Sequence, residues 1–488
     1  MDEKPKALAD GVPPNKHPFG LYVLFSTEMW ERFSYYGMRG LLMYYMTKQL
    51  FLGTPETTVF GYASLKWLLE SFFGELSVQA LSSQLYGLYT GFVYLTPFFG
   101  GIIADRWLGQ RKAVIVGGVL MAIGEFMLMN QSLFLPALCL LILGNGFFKP
   151  NISTQVGNLY APGDHRRDRA FSVFYVGINV GATLSPLIAG TLGEKYGFQW
   201  GFFAAGVGML LGLVFYLSGQ KHLAADNVMK QAASAEPKAV EPLAPEDWKK
   251  IGALVVLCTL NIVFWGVYEQ QGNTLALWVD ANTNRRIFEW LTPTLAPMYI
   301  NHSWYPQMQA LLAWEMPATW YQSFNAAMIV GFTPIVLAFW KWQEKRGSEP
   351  SSVAKMGIGC LLLGLSFLVL LPGAKVVAAG GKATLWSLTL CTAILTVGEL
   401  YLSPVGLSLV TKLAPPRMVS MLMGMWFISS FFGNYFCGFM GSFWEKMSHE
   451  SFFLMLTALA CGAGLAMFAL LKPLKRAIGH GHEEAVDV

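Results

Sequence analysis

The chain has 488 residues, of which 54% are hydrophobic and only 13% are charged, and its mean hydropathy is +0.43. Soluble domains carry about a quarter charged residues, so this composition excludes a soluble globular protein. The net charge of +4 is small and spread through the loops, which argues against a nucleic-acid partner.

Apolar runs of roughly 20 residues recur along the whole chain, and each could cross a hydrocarbon layer of about 30 Å. A β-barrel would instead show alternating strands of about ten residues. We therefore predict an all-α polytopic membrane protein with twelve spans. The predicted spans are 21–46, 81–103, 112–131, 135–159, 170–192, 198–219, 249–279, 319–342, 353–373, 384–411, 417–441 and 451–471.

The N-terminal segment lacks the apolar core of a cleaved signal peptide, so we expect the first span to direct insertion. Lys and Arg concentrate in the loops on one side of the predicted membrane. The positive-inside rule then predicts that both termini are cytoplasmic.

The first span carries charged residues in the stretch TEMWERFSYYGMR (27–39). A charge in the bilayer centre costs several kcal/mol unless it is paired or lines a cavity. Glu28 and Arg32 are four residues apart on one helical face and can pair, and Glu31 lies beside both. A carboxylate beside an arginine in a partly dry site can change its proton occupancy when its surroundings change. The cluster therefore indicates either a proton switch or a static structural charge network.

The segment 58–75 is apolar but contains three charges, and we expect it to be an external amphipathic loop. Residues 220–248 are polar, aperiodic and rich in Ala, Pro and Glu, which predicts a cytoplasmic linker between two six-span halves, 1–219 and 249–488. A second long loop, 281–318, is expected on the periplasmic side. Weak similarity between 29–42 and 264–277 favours a duplicated transporter fold over chance resemblance of apolar helices.

Four further deep charges divide between the two halves. Arg39 and Lys149 give the first half an excess of positive charge, whereas Glu269 and Glu399 lie in the second half. A cavity with two such poles suits a zwitterion, and the same residues could pair as gates when no substrate is bound. Aromatic side chains with polar tips are expected to line it, although each could equally be ordinary helix packing. These aromatic residues are Tyr35, Tyr36, Tyr94, Trp265 and Trp426.

The sequence lacks the motifs of metalloproteins, disulfide-rich proteins, enzymes and ATP-driven pumps. The six cysteines lie in apolar segments without metal-ligand spacing or a disulfide framework. We find no phosphate-binding loop, metal cluster or nucleophile–base pair, so we expect neither an enzyme nor an ATP-driven pump, and no cofactor other than the proton.

Five motifs in chain order resemble those of the proton-dependent oligopeptide transporter (POT) family of the major facilitator superfamily. They are ERFSYYGMR with the preceding Glu28, GGIIADRWLGQRKAVIVGG (100–118), FSVFYVGINVGA (171–182), FWGVYEQQG (264–272) and GELYLSPVGLSLVTKLAP (398–415). The resemblance spans nearly the whole chain and implies a major facilitator fold of two pseudo-symmetric six-helix bundles in a bacterial inner membrane.

The resemblance also implies a role for each matching residue. Glu28, Glu31 and Arg32 would couple protons. Arg39 and Lys149 would face the peptide carboxylate, and Asn179, Asn325 and Glu399 the peptide amine. Tyr35, Tyr36, Tyr94, Trp265 and Trp426 would form side-chain pockets, and Glu269 and Ser403 would complete the substrate site. The gating pairs would be Arg39 with Glu269 on the outside and Lys149 with Glu399 on the inside.

The chain departs from the family pattern in three places. The linker is too short and polar for the two extra helices of many bacterial members. No proline follows Asn325, which leaves its role open, and the second-span histidine of animal members is absent.

These observations predict a monomeric, proton-coupled symporter of di- and tripeptides that works by alternating access in the lipid bilayer. One alternative is a relative that carries a small anion such as nitrate, although Glu269 and Glu399 would repel an anion. Another is a membrane sensor that binds peptide without moving it, but no predicted cytoplasmic segment is large enough for a signalling domain.

Overall fold

The structure is a computed structural model that describes residues 12–13, 16–161, 164–226, 245–291, 304–414 and 418–473. Twelve helices of 17 residues or more dominate these ranges. They are α1 (Phe19–Tyr45), α2 (Val78–Ile103), α3 (Gln110–Met127), α4 (Phe134–Asn158), α5 (Arg166–Ser185), α6 (Phe198–Gly219), α7 (Pro245–Tyr268), α8 (Tyr321–Glu344), α9 (Ser352–Leu368), α10 (Leu385–Leu413), α11 (Val419–Gly441) and α12 (His449–Ala469).

Each long helix overlaps one predicted span, so the all-α polytopic architecture is confirmed. Nine of them are by themselves long and apolar enough, within the described residues, to cross a membrane. The other three, α1, α3 and α11, contain charged or small polar residues within the helix. Tertiary packing buries Glu28, Glu31 and Arg32 of α1 and Glu125 of α3, which a hydropathy average cannot register.

Two predicted spans are less regular than expected. A π-helical turn, Pro186–Gly190, follows α5, and the helix then continues through Thr191–Tyr196. The predicted continuous span 249–279 breaks after Tyr268 into a 3₁₀ turn, Glu269–Gly272, and a short helix, Thr274–Asn282. A Cβ atom on Gly272 would lie only 1.9 Å from the Tyr86 hydroxyl, so this glycine allows the second half to approach α2 closely.

The prediction of a loop at 58–75 is wrong. The structure has a helix at Tyr62–Phe73, preceded by a single turn at Pro55–Thr58. Tyr62 and Leu69 of this helix are buried, whereas its Trp67 and Phe72 are exposed. Its apolar residues follow the helical period, which the three charges obscured.

Much of the predicted linker and loop falls outside the described residues, namely 227–244 and 292–303. At the start of the linker, Arg111 donates hydrogen bonds to the carbonyls of Leu223 and Ala224, and Asp226 accepts one from the Arg111 amide at 2.9 Å. In the loop, Thr283–Asn284 pairs in parallel with Ala383–Thr384, and a short helix spans Tyr305–Leu312.

Helices α1–α6 surround one apolar core and α7–α12 surround another. The two cores also share side chains: Cys437 and Leu277 pack in the first core, and Tyr44 and Phe198 pack in the second. Helix α2 packs against α11, and α5 packs against α8. This packing is compatible with the predicted halves, although the boundaries at 219 and 249 themselves stay a prediction.

We call the end of the bundle at which α1 ends and α2 begins the outer end, since the charge pattern predicts that it faces outside. Polar contacts between the two sets of helices gather in the outer half. They include Lys48–Asp280 at 2.5 Å, Tyr44 hydroxyl to Ala276 carbonyl at 3.0 Å, Ser83 to Asn273 at 2.8 Å, Ser323 to the Thr183 carbonyl at 2.7 Å and Gln322 to the Gly40 carbonyl at 3.1 Å.

A helix cap strengthens this closure. The Glu194 carboxylate accepts hydrogen bonds from the amides of Ala318 and Thr319, at 2.9 and 2.7 Å, in the 3₁₀ turn that leads into α8. These amides belong to the opposite set of helices and lack partners within their own helix start. The Trp320 indole also donates to Thr191 at 2.7 Å. The halves are therefore bound together at the outer end.

Candidate functional site

A cavity of about 340 Å³ lies between the two sets of helices. Its walls come from α1, α2, α4 and α5 on one side and from α7, α8, α10 and α11 on the other. Its volume is in the usual range for small-molecule sites, about 300–1,000 Å³. Eleven of the predicted substrate residues lie on its wall: Tyr36, Arg39, Tyr94, Lys149, Asn179, Trp265, Glu269, Asn325, Glu399, Ser403 and Trp426.

Tyr35 is the exception, since it does not line the cavity. Its ring contacts the edge of Tyr36 with centroids 5.2 Å apart, and the Arg32 guanidinium lies 5.1 Å from its centroid. Tyr36 lies on the cavity wall, whereas its neighbour Tyr35 does not. The expectation that Tyr35 forms a pocket wall is therefore wrong in this structure, and its ring instead adjoins the charge cluster.

Glu28, Glu31 and Arg32 form a buried cluster on α1, with each residue 3% exposed or less. Arg32 Nε lies 3.2 Å from Glu28 Oε1, so the pair expected from the four-residue spacing is present. Arg32 also donates two hydrogen bonds to Glu31, one from Nε and one from Nη2 at 2.6 Å. This fork is the strongest geometry available to an arginine and a carboxylate. Glu28 Oε2 has no hydrogen-bond partner among the described residues.

The first predicted gating pair is an ion pair between the two halves. Arg39 Nη2 donates to Glu269 Oε2, and Arg39 Nε donates to the Tyr86 hydroxyl at 2.8 Å. The break after α7 places Glu269 at this point, because the 3₁₀ turn redirects the backbone towards α1 and α2. Tyr86, which sequence reasoning missed, holds the arginine in place.

Lys149 and Glu399, the second predicted pair, do not form an ion pair within 4.0 Å in this structure. The Lys149 ammonium lies 4.7 Å from the centroid of the Tyr94 ring. Glu399 instead accepts hydrogen bonds from Tyr268 at 2.7 Å and from Asn325 at 3.1 Å. Because the halves are closed at the outer end, these two charges on opposite walls stay apart.

Two further wall residues offer polar groups to a ligand. Asn179 donates to the Tyr175 carbonyl at 2.9 Å, which anchors its side chain on α5. The Trp265 indole nitrogen is buried and has no hydrogen-bond partner among the described residues. Tyr175, Tyr268 and Gln271 also line the cavity and were not predicted. Tyr268 lies within the FWGVYEQQG motif and directly precedes Glu269, so its position in the sequence could have predicted that it lies at the cavity.

Glu125 on α3 is absent from the predicted set of deep charges. It is 1% exposed and accepts a hydrogen bond from Ser34 at 3.3 Å. The sequence did contain a signal for it, namely a carboxylate inside the apolar run 112–131.

Comparisons with known proteins agree over nearly the whole chain. A sequence model described as the POT family matches residues 111–240 and 296–457. The di-/tripeptide transporter of Lactococcus lactis subsp. cremoris is 30% identical over 525 residues, covering 95% of this chain and 97% of that protein. The peptide transporter YePEPT of Yersinia enterocolitica is 31% identical over 495 residues, covering 87% of this chain and 88% of that protein.

A solved structure shares the fold as well. The crystal structure of a variant of a peptide transporter POT in complex with alafosfalin aligns with a TM-score of 0.78 and 30% identity, over 97% of this chain and 99% of that chain. This likeness confirms a major facilitator type of architecture. The family model covers more than half of the chain, and the relatives align along almost all of it. The chain therefore belongs to the POT family of membrane transporters.

Proposed function

We propose that the chain is a proton-coupled symporter of di- and tripeptides that works by alternating access. One observation carries the proposal: a cavity between the halves has Arg39 and Lys149 on one wall and Glu269 and Glu399 on the other. Two relatives are named as peptide transporters, which supports this substrate class.

The two poles of the cavity match the two ends of a short peptide. Lys149 makes no ion pair with the described residues and is free to bind the peptide carboxylate, with Arg39 nearby. Glu399, held by Tyr268 and Asn325, binds the peptide ammonium. The aromatic rings between the poles contact side chains of varied shape, since they combine apolar faces with polar tips.

The cluster on α1 supplies the proton coupling. Protonation of Glu31 removes the charge that holds the Arg32 fork, because a neutral carboxylic acid binds a guanidinium far less strongly than a carboxylate does. Arg32 then shifts its pairing towards Glu28. The rearrangement changes the packing of α1 against its neighbours, which is the step that couples a proton to the movement of the halves.

The charged pairs act as gates. This conformation has the Arg39–Glu269 pair formed, and Lys149 and Glu399 apart, so the cavity is closed at the outer end. Entry of peptide and protons from the outside requires the outer contacts to open, and release follows when the halves rock back. One proton moved through 100 mV supplies about 2.3 kcal/mol.

We further propose that the protein is a monomer in the bacterial inner membrane, with both termini in the cytoplasm and with no cofactor other than the proton. The two halves of one chain complete the cavity, so the site needs no second subunit. The excess of Lys and Arg in the predicted cytoplasmic loops supports the orientation.

The decisive experiment measures uptake of labelled dialanine into liposomes that contain the purified protein and carry an inward proton gradient. We expect the wild type to accumulate the peptide and Glu31→Gln only to equilibrate it. Accumulation by neither protein under any gradient would refute coupled peptide transport.

A blocked peptide separates this proposal from transport of a small anion. N-acetyl-dialanine lacks the ammonium that Glu399 binds, so we expect it to compete poorly with dialanine. If it competes as well as dialanine does, or if nitrate competes instead, the anion alternative is favoured.

A further inference from the structure

Glu125 is a buried carboxyl group that the transport cycle described above does not use. It lies on α3 and is 1% exposed. Its Oε1 accepts a hydrogen bond from the Ser34 hydroxyl at 3.3 Å, and its Oε2 has no hydrogen-bond partner among the described residues. A buried polar atom without a partner costs about 1–3 kcal/mol, so its retention calls for an explanation.

Among the described residues, the neighbouring helices place no cation beside Glu125. Glu31 on α1 and Tyr89 on α2 are the titratable groups close enough to interact with it. Helix α4 contributes one cation, Lys149, which interacts with the cluster on α1 instead. Tyr216, the titratable side chain of α6, donates a hydrogen bond to the Gln155 side chain instead. Arg111 and Lys112 lie at the far start of α3.

This setting suits a carboxyl group that gains and loses a proton. An ionised carboxylate without a cation is costly to bury, whereas the carboxylic acid can both donate and accept a hydrogen bond. Ser34 follows Glu31 by three residues, so the two share one face of α1. Its hydroxyl can accept from one carboxyl group and donate to another. Glu125 is thereby hydrogen-bonded to a residue of α1 that lies one turn from Glu31.

We propose that Glu125 is a third proton-binding carboxyl group of the coupling machinery and exchanges its proton with Glu31 across Ser34. In the exchange, the O–H bond of one carboxylic acid breaks and an O–H bond forms on the other carboxylate, so the total charge of the pair is unchanged. When Glu31 gains the proton, it loses its charge and no longer holds the Arg32 guanidinium. Glu125 is then an ionised carboxylate, and it must take up another proton before the next exchange. This inference rests on the proposed symport and names a further residue that serves it.

The test uses the full-length protein in liposomes and compares two assays. The first is dialanine accumulation under a proton gradient, measured as a function of pH. The second is counterflow, in which labelled peptide outside exchanges for unlabelled peptide inside and no net proton movement is needed. The variants are Glu125→Gln, Ser34→Ala and Glu125→Asp, with Glu344→Gln as the control that removes an exposed carboxylate from the end of α8.

We expect Glu125→Gln to keep counterflow, to accumulate less peptide than the wild type and to shift the pH profile of uptake. Each coupled proton raises the accumulation limit about tenfold per pH unit of gradient, so the ratio should fall by up to about tenfold. Glu125→Asp should restore part of the pH dependence, because it restores a carboxyl group. The control should match the wild type in both assays.

Unchanged accumulation and an unchanged pH profile in Glu125→Gln would overturn the inference while leaving the proposed function intact. Failure of the wild type to accumulate peptide would instead refute the function itself. If Glu125→Gln loses counterflow as well, Ser34→Ala decides: a shifted pH profile with normal counterflow supports the exchange, and an unshifted profile refutes it.

Discussion

The contact between α2 and α11 gives a direct test of how the halves move. An ideal Cβ on Gly87 would lie 2.7 Å from the Asn434 carbonyl oxygen and 2.7 Å from the Gly438 Cα. Both atoms are backbone, so no side-chain rotation can relieve the clash. Gly87→Ala must therefore push the outer halves of the two helices apart. We expect the same methyl group to meet no such contact in a conformation that is open at the outer end.

The size of the effect follows from the overpacking. An extra methyl group in a tight contact costs about 1–3 kcal/mol. The gain in helix propensity on replacing glycine is about 1 kcal/mol, but it is equal in both conformations and cancels. We therefore expect the population of the conformation closed at the outer end to fall about 5- to 150-fold relative to the population of the open one.

Spin labels report the shift. Labels at Leu52 and Lys375, which are exposed at the outer end on opposite halves, measure the width of the opening in a background with the native cysteines replaced. The fraction of molecules with the longer distance between the two labels should be larger in Gly87→Ala than in the wild type. Gly331→Ala is the matched control, because a Cβ there meets nothing within 4 Å. Identical distance distributions in both variants would refute a rocking motion that separates α2 from α11.

Three other predictions address the remaining contacts. Glu269→Gln should lower the melting temperature and weaken dialanine binding by calorimetry, because it leaves the Arg39 guanidinium buried without its partner, a loss of about 3–5 kcal/mol; unchanged stability would show that Tyr86 suffices. Glu194→Ala should widen the outer end in the same spin-label assay, since its two capping hydrogen bonds contribute about 1–2 kcal/mol; an unaltered width would contradict the role of the cap. The pKa of His17 is lowered from 6.5 by burial and by the nearby Arg166, so protonation favours the unfolded chain. Thermal stability should fall as the pH drops below about 6.5, and His17→Gln should remove that part of the loss.

Local spacing along a helix was enough to predict the contacts within α1. The Glu28–Arg32 pair follows from a separation of four residues, which brings two side chains together on any α-helix. The same reasoning failed for Tyr35 and Tyr36, because spacing says which residues share a face but not which face meets the cavity. That choice depends on the neighbouring helices.

Errors in the predicted elements have a common cause. The sequence predicts a loop at 58–75 because charges interrupt its apolar run, yet the helix at Tyr62–Phe73 contains two of them, Lys66 and Glu70, at half-buried positions. The span 249–279 was expected to be continuous, but α7 ends at Tyr268. Average hydropathy indicates how apolar a segment is. It does not indicate where the backbone hydrogen-bonding pattern of a helix begins, ends or changes.

The sequence by itself determined the polytopic architecture, the approximate position of each span and the residue types that meet in the cavity. Apolar length and local helical geometry depend only on nearby residues, so they can be derived without a structure. The tertiary structure decided which charges pair: Arg39 meets Glu269 across 230 positions, and Glu125 meets Ser34 across 91. It also decided that Lys149 and Glu399 stay apart. These outcomes depend on how the two six-helix units dock against each other. The conformations they can adopt differ by only a small free energy, which is summed over many contacts between residues distant in sequence.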